Sequence, residues 1–194
     1  RYIGGEVNSV KKDLSKVSLT FGLCFPDVYE VGMSHLGIQI LYDILNSMEG
    51  VACERAFAPW KDMEALLRNK NIPLSTLESD IPLERLDVAG FSLQYELSYT
   101  NILNMLELGG IPLKASDRGD ALPLVIGGGP SAFNPEPVAE FFDVFLLGDG
   151  EEAVVEIAMA VMEAKKKKLN KIELLKNLAK IEGVYVPSFF DINY

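Results

Sequence analysis

Two short apolar runs in the C-terminal half of the chain each end in glycine. Leu124–Ile126 is followed by three glycines at 127–129, and Phe145–Leu147 is followed by Gly148-Asp-Gly150. Glycines at a strand end remove the side chains there, so another group can lie directly against the backbone. In an open parallel sheet, ligands bind at the carboxyl ends of the strands, which is where these glycines fall. The two runs therefore predict one shared edge where backbone meets a large, flat ligand.

Segments with strand and helix patterns alternate along most of the chain. The predicted strands are Val17–Phe25, Val51–Phe57, Val88–Leu93, Leu124–Ile126 and Val144–Leu147. The predicted helices are Leu36–Met48, Met63–Asn69, Ser98–Leu108 and Glu151–Lys166. Strands separated by helices predict a parallel sheet with right-handed crossovers and helices on both faces. The fold class is therefore α/β: a flavodoxin-like, doubly wound, five-stranded parallel sheet, with the strand order 2-1-3-4-5.

The pattern divides the chain into three parts. Residues 1–15 form an N-terminal lead segment, and residues 16–168 form the Rossmann-type domain. In residues 169–194 a short helix over Ile172–Ala179 is followed by an isolated strand at Gly183–Pro187. We expect this last part to be a connection to a further domain. The chain does not begin with Met, and we expect it to be a piece of a longer protein.

Charge and composition exclude several classes of function. The net charge of −10 argues against a nucleic-acid surface, which needs clustered Lys and Arg. The one basic run, Lys165–Lys168, is interpreted as the solvated end of a helix. No apolar stretch reaches the about 18–20 residues that span a bilayer. Cys24 and Cys53 have no close Cys or His, so we expect buried thiols of a cytoplasmic protein, with a disulfide or metal site as the alternative.

The loops also exclude the common nucleotide cofactors. Residues 127–132 formally fit G-x-G-x-x-A, but they follow the fourth strand, and Pro130 opposes the helix that a dinucleotide site requires. No G-K-S/T phosphate loop occurs, and the loop Pro26–His35 carries two acids instead of the Ser/Thr-rich loop of a flavodoxin. Asp149 and Glu151 at a helix N-terminus would repel a phosphate. These features favour a large, mostly neutral ligand that is rich in amide groups.

Three motifs, in this order, resemble the cobalamin-binding-type N-terminal domain of radical S-adenosylmethionine (SAM) proteins. They are Gly90-Phe-Ser-Leu-Gln94, Gly127-Gly-Gly-Pro130 with Asn134-Pro-Glu136 behind it, and Gly148-Asp-Gly-Glu151. The resemblance covers nearly the whole chain and also includes Arg1–Gly5, Phe25–Gly37, Glu54–Trp60 and Gly183–Ser188.

In proteins of this family, a downstream barrel binds SAM and holds a four-iron, four-sulfur cluster on C-x-x-x-C-x-x-C. This sequence has no such motif. The resemblance therefore implies that the cluster, SAM and the radical chemistry belong to the barrel, which is the expected partner. The domain itself is then not catalytic.

The resemblance also implies a cobalamin site on the strand ends, formed by four groups of residues. These are Ser34, His35 and Gly37; Ser92, Leu93 and Gln94; Gly127, Gly128, Gly129 and Pro130; and Gly148, Asp149, Gly150 and Glu151. We expect Ser34, Ser92, Gly128 and Gly148 to line one shallow cleft.

Local structure offers simpler interpretations of several of these residues. His35, the only histidine, does not fit the axial-ligand motif D-x-H-x-x-G, because Met33 and Ile38 occupy the flanking positions. Its ring either bonds locally near a helix start or contacts a ligand or the barrel. The glycines at 127–129 serve a tight turn in the simpler interpretation, and Asp149 caps a helix.

Two functions remain open from the sequence. In the first, the domain is a cofactor module that holds cobalamin without a protein axial ligand. In the second, it is an interaction module of the same fold that packs on the barrel or on a macromolecular substrate and does not bind cobalamin.

Overall fold

A computed structural model describes residues 2–120 and 123–190. Arg1 of the segment Arg1–Gly5 and residues 191–194 of the predicted C-terminal part lie outside the described residues.

The described chain forms one mixed sheet of six strands. They are β1 (Leu19–Phe25), β2 (Val51–Phe57), β3 (Val88–Ser92), β4 (Leu124–Gly128), β5 (Val144–Leu146) and β6 (Val184–Tyr185). The order is β2-β1-β3-β4-β5-β6, and the first five strands are parallel. The predicted fold class and the order 2-1-3-4-5 are confirmed.

The predicted strand count is wrong by one, because β6 joins the sheet. It pairs antiparallel with β5, with Phe145 opposite Tyr185. Gly183 has φ +79°, a conformation that favours glycine, and its carbonyl accepts a hydrogen bond from Leu147 N at 2.8 Å. The chain thus turns back onto β5, and the segment interpreted as an isolated strand covers the sheet edge.

Six α-helices flank the sheet in the described residues. They are α1 (Tyr29–Gly32), α2 (Leu36–Ser47), α3 (Lys61–Lys70), α4 (Tyr99–Leu108), α5 (Gly150–Lys167) and α6 (Lys171–Leu178). Helices α2 and α5 bury their apolar sides on one face of the sheet, and α3 and α4 on the other. None of these described helices combines the length and the apolar character needed to cross a bilayer.

A buried ion pair closes the free edge of β2. Glu78 accepts hydrogen bonds from the backbone N–H of Arg55 at 2.7 Å and from its Nε at 2.6 Å. The Arg55 guanidinium also lies 4.2 Å from the centre of the Tyr42 ring. Burial raises the pKa of Glu78, although Arg55 opposes this shift. Desolvation therefore outweighs the attraction, as is common for buried pairs.

Lys12 fastens the N-terminal segment to the domain. Its Nζ donates to the carbonyl oxygens of Asn46 and Val51, both at 2.6 Å, and of Met48 at 3.3 Å. Three acceptors use all three N–H groups of the ammonium.

We expect Lys12→Met to lower the free energy of unfolding by about 1–3 kcal/mol in urea denaturation, because three carbonyls lose a charged donor. Lys11→Met removes an exposed neighbouring charge and should change it by less than about 0.5 kcal/mol. Equal effects of the two substitutions would contradict this role.

Candidate functional site

A cavity of about 580 Å³ opens between the sheet and the helices α2 and α5, at the carboxyl edge of the strands. Its volume lies in the range of roughly 300–1,000 Å³ that small-molecule sites have. Most of its wall is apolar. The apolar lining includes Phe21, Leu23, Ile38, Leu41, Ile126, Leu146, Val154 and Ile157.

The alternation of side chains along the strands decides which residues reach this cavity. On β3, Gly90 and Ser92 face the cavity; Phe91 also borders it, but its side chain packs in the core on the other face of the sheet. On β4, Gly128 faces the cavity. At Gly90 the Phe21 ring covers the backbone, since a Cβ there would lie 2.9 Å from it, so the floor of the cavity is bare backbone at Gly128.

The three consecutive glycines have three different roles. At Gly127 a Cβ would lie 2.9–3.1 Å from the side chains of Leu93, Phe145 and Phe142, on the face away from the cavity. Gly129 has φ +114°, which other residues rarely adopt.

At position 128, neither the backbone conformation nor the packing requires glycine. Its φ is not in the positive range, and the nearest atoms to an added Cβ belong to Leu146, at 3.9 Å. A tight turn therefore explains Gly129 and packing explains Gly127, but only the open cavity explains Gly128.

The N-terminus of α5 forms one side of the cavity mouth. Gly148, with φ +108°, turns the chain into the helix, and Gly150 packs against Leu41. Asp149 is the N-cap residue, but its side chain makes no capping hydrogen bond, so the capping interpretation is wrong for it. Asp149 and Glu151 are the acidic residues of the lining, which includes no Lys or Arg among the described residues.

His35 makes the local bond of the first interpretation, and its ring also borders the cavity. It is the N-cap residue of α2, and its Nδ1 accepts a hydrogen bond from Ile38 N at 3.3 Å. The ring also lines the cavity and lies 5.1 Å from the Phe25 ring, centre to centre. Gly37 leaves room for it, since a Cβ there would lie 3.0 Å from His35 Cε1.

The structure places eleven of the fourteen candidate residues in the cavity wall and three elsewhere. The eleven are His35, Gly37, Ser92, Gln94, Gly128, Gly129, Pro130, Gly148, Asp149, Gly150 and Glu151. The expected cleft forms from Ser92, Gly128 and Gly148.

Ser34, Leu93 and Gly127 are not among the residues that line the cavity. Ser34 Oγ bonds the carbonyls of Glu30 and Val31 in the turn after α1, outside the cavity wall. Leu93 and Gly127 belong to the opposite face of the sheet, because side chains alternate along a strand.

Sequence reasoning missed the apolar walls and the close packing of the Phe21 ring on Gly90. Val154 and Ile157 looked like ordinary core positions of α5, as did Ile38 and Leu41 of α2, and no residue type sets them apart. Gly90 carried a usable signal, because a glycine inside a strand marks a close approach of another group. Phe133, which lies at the mouth and is 70% exposed, was not among the candidate residues.

The two cysteine thiols are not suited to act as metal ligands or as nucleophiles. Cys24 and Cys53 are buried and unpaired with each other. Burial raises the pKa of Cys24, which adjoins the cavity, to about 12, so it is a neutral thiol at physiological pH. Among the described residues, no group of three or more His, Cys, Asp or Glu side chains is suited to hold a metal ion.

A comparison with protein families identifies the family of this chain. The family described as the N-terminal region of radical SAM proteins matches residues 37–187. An uncharacterized protein of Methanocaldococcus jannaschii is 24% identical over 137 residues, which are 70% of this chain and 25% of that protein. The chain thus spans about a quarter of the length of this curated relative.

Among solved structures, the radical S-adenosylmethionine methyltransferase TsrM of Kitasatospora setae, with tryptophan substrate and the SAM analogue aza-SAM bound, is similar at a TM-score of 0.49. The sequence identity is 18%, over 75% of this chain and 26% of that chain.

Proposed function

This chain belongs to the family of N-terminal domains of radical SAM proteins, and from that membership we propose that its cavity binds cobalamin without a protein axial ligand. The observation that carries the proposal is the bare floor at Gly128, which neither backbone conformation nor packing requires.

The shape and polarity of the cavity support this ligand. Cobalamin has a broad, flat corrin ring with amide side chains and a nucleotide tail that ends in an aromatic base. The slot between sheet and helices is apolar and suits the aromatic base. The corrin then lies over the mouth, where Gly128 and Gly148 remove side chains from the strand ends. The glycines thereby let a planar ring approach the backbone.

The charges at the mouth support a ligand of this kind over the common phosphorylated cofactors. Asp149 and Glu151 are the acidic groups of the lining, and no Lys or Arg of the described lining offsets them. A terminal phosphate would meet both carboxylates without a cation to neutralise it. Amide side chains instead supply N–H donors to these carboxylates and are neutral.

In the part of the chain that the structure describes, neither the histidine nor the cysteine of the cavity wall is arranged to bind cobalt. His35 Nδ1 is occupied by the N–H of Ile38, and the ring is fixed at the start of α2. Cys24 is a neutral thiol in the cavity wall. The cobalt, when present, supplies the organometallic chemistry, and the domain's residues hold and orient the corrin.

The rest of the radical SAM protein is the proposed partner, and it would hold the iron–sulfur cluster and SAM. Large apolar side chains are exposed at the same edge of the sheet as the cavity: Leu36 (69%), Leu97 (87%) and Phe133 (70%). These three exposed apolar side chains, which follow the ends of β1, β3 and β4, favour a protein contact at this edge. This rim also supports the alternative function, an interaction module without cobalamin.

A titration separates the two functions. The full-length protein, with its cluster loaded, is titrated with hydroxocobalamin while the visible spectrum and the heat are recorded. We expect saturable binding of one equivalent, and a dissociation constant that His35→Ala changes by less than about twofold, since no axial bond is lost. Flavin mononucleotide, which carries a terminal phosphate, should give no heat. A folded protein that binds no cobalamin would favour the interaction module.

A further inference from the structure

Two polar side chains at the end of β3 are bonded to each other inside the otherwise apolar cavity. Gln94 Nε2 donates a hydrogen bond to Ser92 Oγ at 3.1 Å, and both residues line the cavity. Ser92 lies opposite Gly128 in the register of β3 and β4. The Ser92–Gln94 pair therefore lies beside Gly128, where the proposed ligand approaches the backbone.

The direction of this bond determines what Ser92 can offer to a ligand. A serine hydroxyl has one proton to donate and two lone pairs that accept. The Gln94 amide occupies a lone pair of Ser92 Oγ, so the Ser92 proton points away from Gln94. No described residue accepts a hydrogen bond from Ser92 Oγ, so the proton remains available.

We infer that Gln94 is a positioning residue that holds Ser92 as a hydrogen-bond donor, and that the ligand presents an acceptor atom to Ser92. This inference rests on the proposed cobalamin site and deepens it. Cobalamin offers acceptors of two kinds: the ring nitrogen of the nucleotide base and the carbonyl oxygens of its amide side chains. In a mostly apolar cavity, an acceptor without a donor is costly, so this contact fixes the depth and orientation of the ligand.

Reversing the polarity of the pair tests the inference. In Gln94→Glu the side chain keeps its size, but a carboxylate only accepts, so it takes the Ser92 proton. We expect the dissociation constant for hydroxocobalamin, measured on the full-length protein, to rise about tenfold, and Ser92→Ala to have a similar effect. Gln39→Glu, which adds the same charge on the exposed side of α2, should change it less than about twofold.

The double variant separates polarity from charge. If Gln94 acts through Ser92, then Ser92→Ala combined with Gln94→Glu should bind no more weakly than Ser92→Ala alone.

Dicyanocobinamide, which lacks the nucleotide, identifies the acceptor. If the base accepts, Ser92→Ala leaves cobinamide binding unchanged; if a corrin amide accepts, cobinamide and cobalamin lose affinity equally. Melting temperatures of the variants should agree with the wild type within a few degrees.

Three outcomes would overturn the inference. Unchanged affinity in Gln94→Glu, or effects of the two substitutions that simply add, would reject the role of Gln94 while cobalamin binding stands. A wild-type protein that binds no cobalamin would reject the inference together with the proposed function.

Discussion

Replacing Gly128 with leucine is expected to raise the dissociation constant for hydroxocobalamin at least about 100-fold, which corresponds to about 2.7 kcal/mol. The position faces the cavity at the end of β4, and a Cβ there has only Leu146 atoms within 4 Å, at 3.9 Å. A leucine side chain therefore grows into open cavity space and not into the core. It fills the volume that the proposed ligand needs, while the fold has no close contact to lose. The measurement is the spectral and calorimetric titration of the full-length protein.

Gly128→Ala is the matched control for this result. Its single added carbon makes ordinary van der Waals contact with Leu146, and its backbone conformation is accessible to alanine. We expect the alanine variant to bind within about tenfold of the wild type, because one methyl group narrows the slot without filling it. Melting temperatures for both variants should stay near that of the wild type. A leucine variant that binds cobalamin normally would show that the cavity is not the site.

Removing the carboxylate of Glu78 is expected to lower the free energy of unfolding by about 3–5 kcal/mol. The Glu78 side chain is fully buried, and it bonds both the backbone N–H and the Nε of Arg55. Glu78→Ala leaves a buried guanidinium without its counter-charge, and arginine does not lose its proton to relieve this. It also uncovers the free edge of β2. Urea denaturation of the wild type and Glu78→Ala at neutral pH measures the difference.

Replacing both partners tests whether the loss comes from the stranded charge. The double substitution Arg55→Met with Glu78→Leu removes both charges and should regain at least about half of the lost stability. The wild-type pair is not expected to be a large net stabiliser, because desolvation already raises the pKa of Glu78. A double variant as unstable as Glu78→Ala would contradict this explanation.

The raised pKa of Glu78 also predicts how the stability of the protein changes with pH. Since the pKa of Glu78 is higher in the folded state, the folded state binds that proton more tightly than the unfolded chain does. We therefore compare the free energy of unfolding of the wild type with that of Glu78→Gln. The stabilising contribution of Glu78 is greatest below the ordinary glutamate pKa of about 4.3, and it decreases as the pH rises through the pKa of the folded state. A relative loss on acidification would show that Arg55 dominates instead.

Much of this molecule could be predicted from local patterns. Val51–Phe57 was predicted with its observed bounds, and the other parallel strands and the main helices were placed within about two residues. The glycine-ended strands indicated the correct edge of the sheet, because parallel strands share one carboxyl edge. The candidate residues around Ser92, Gly128 and Gly148 followed from that rule.

The errors have one physical origin, which is that the face and neighbours of a residue are tertiary properties. Leu93 and Ser92 are adjacent in sequence but lie on opposite faces of the sheet, and Gly127 and Gly128 are separated in the same way. No motif distinguishes them, since a shift of one residue in the strand exchanges the two faces. Ser34 fell outside because a short helical turn uses its hydroxyl.

By itself, the sequence determined the fold class, the strand order and the edge of the sheet at which the cavity lies, because these follow from periodicity, chain direction and the conformational freedom of glycine. Only the tertiary structure decided that α2 and α5 leave an apolar slot over Gly128 and that Gln94 holds Ser92. It also decided that the segment at Gly183 turns back to add β6 to the sheet. A cavity and a side-chain bond depend on how distant segments pack, and close packing is specified by the whole set of contacts and not by any one stretch of chain.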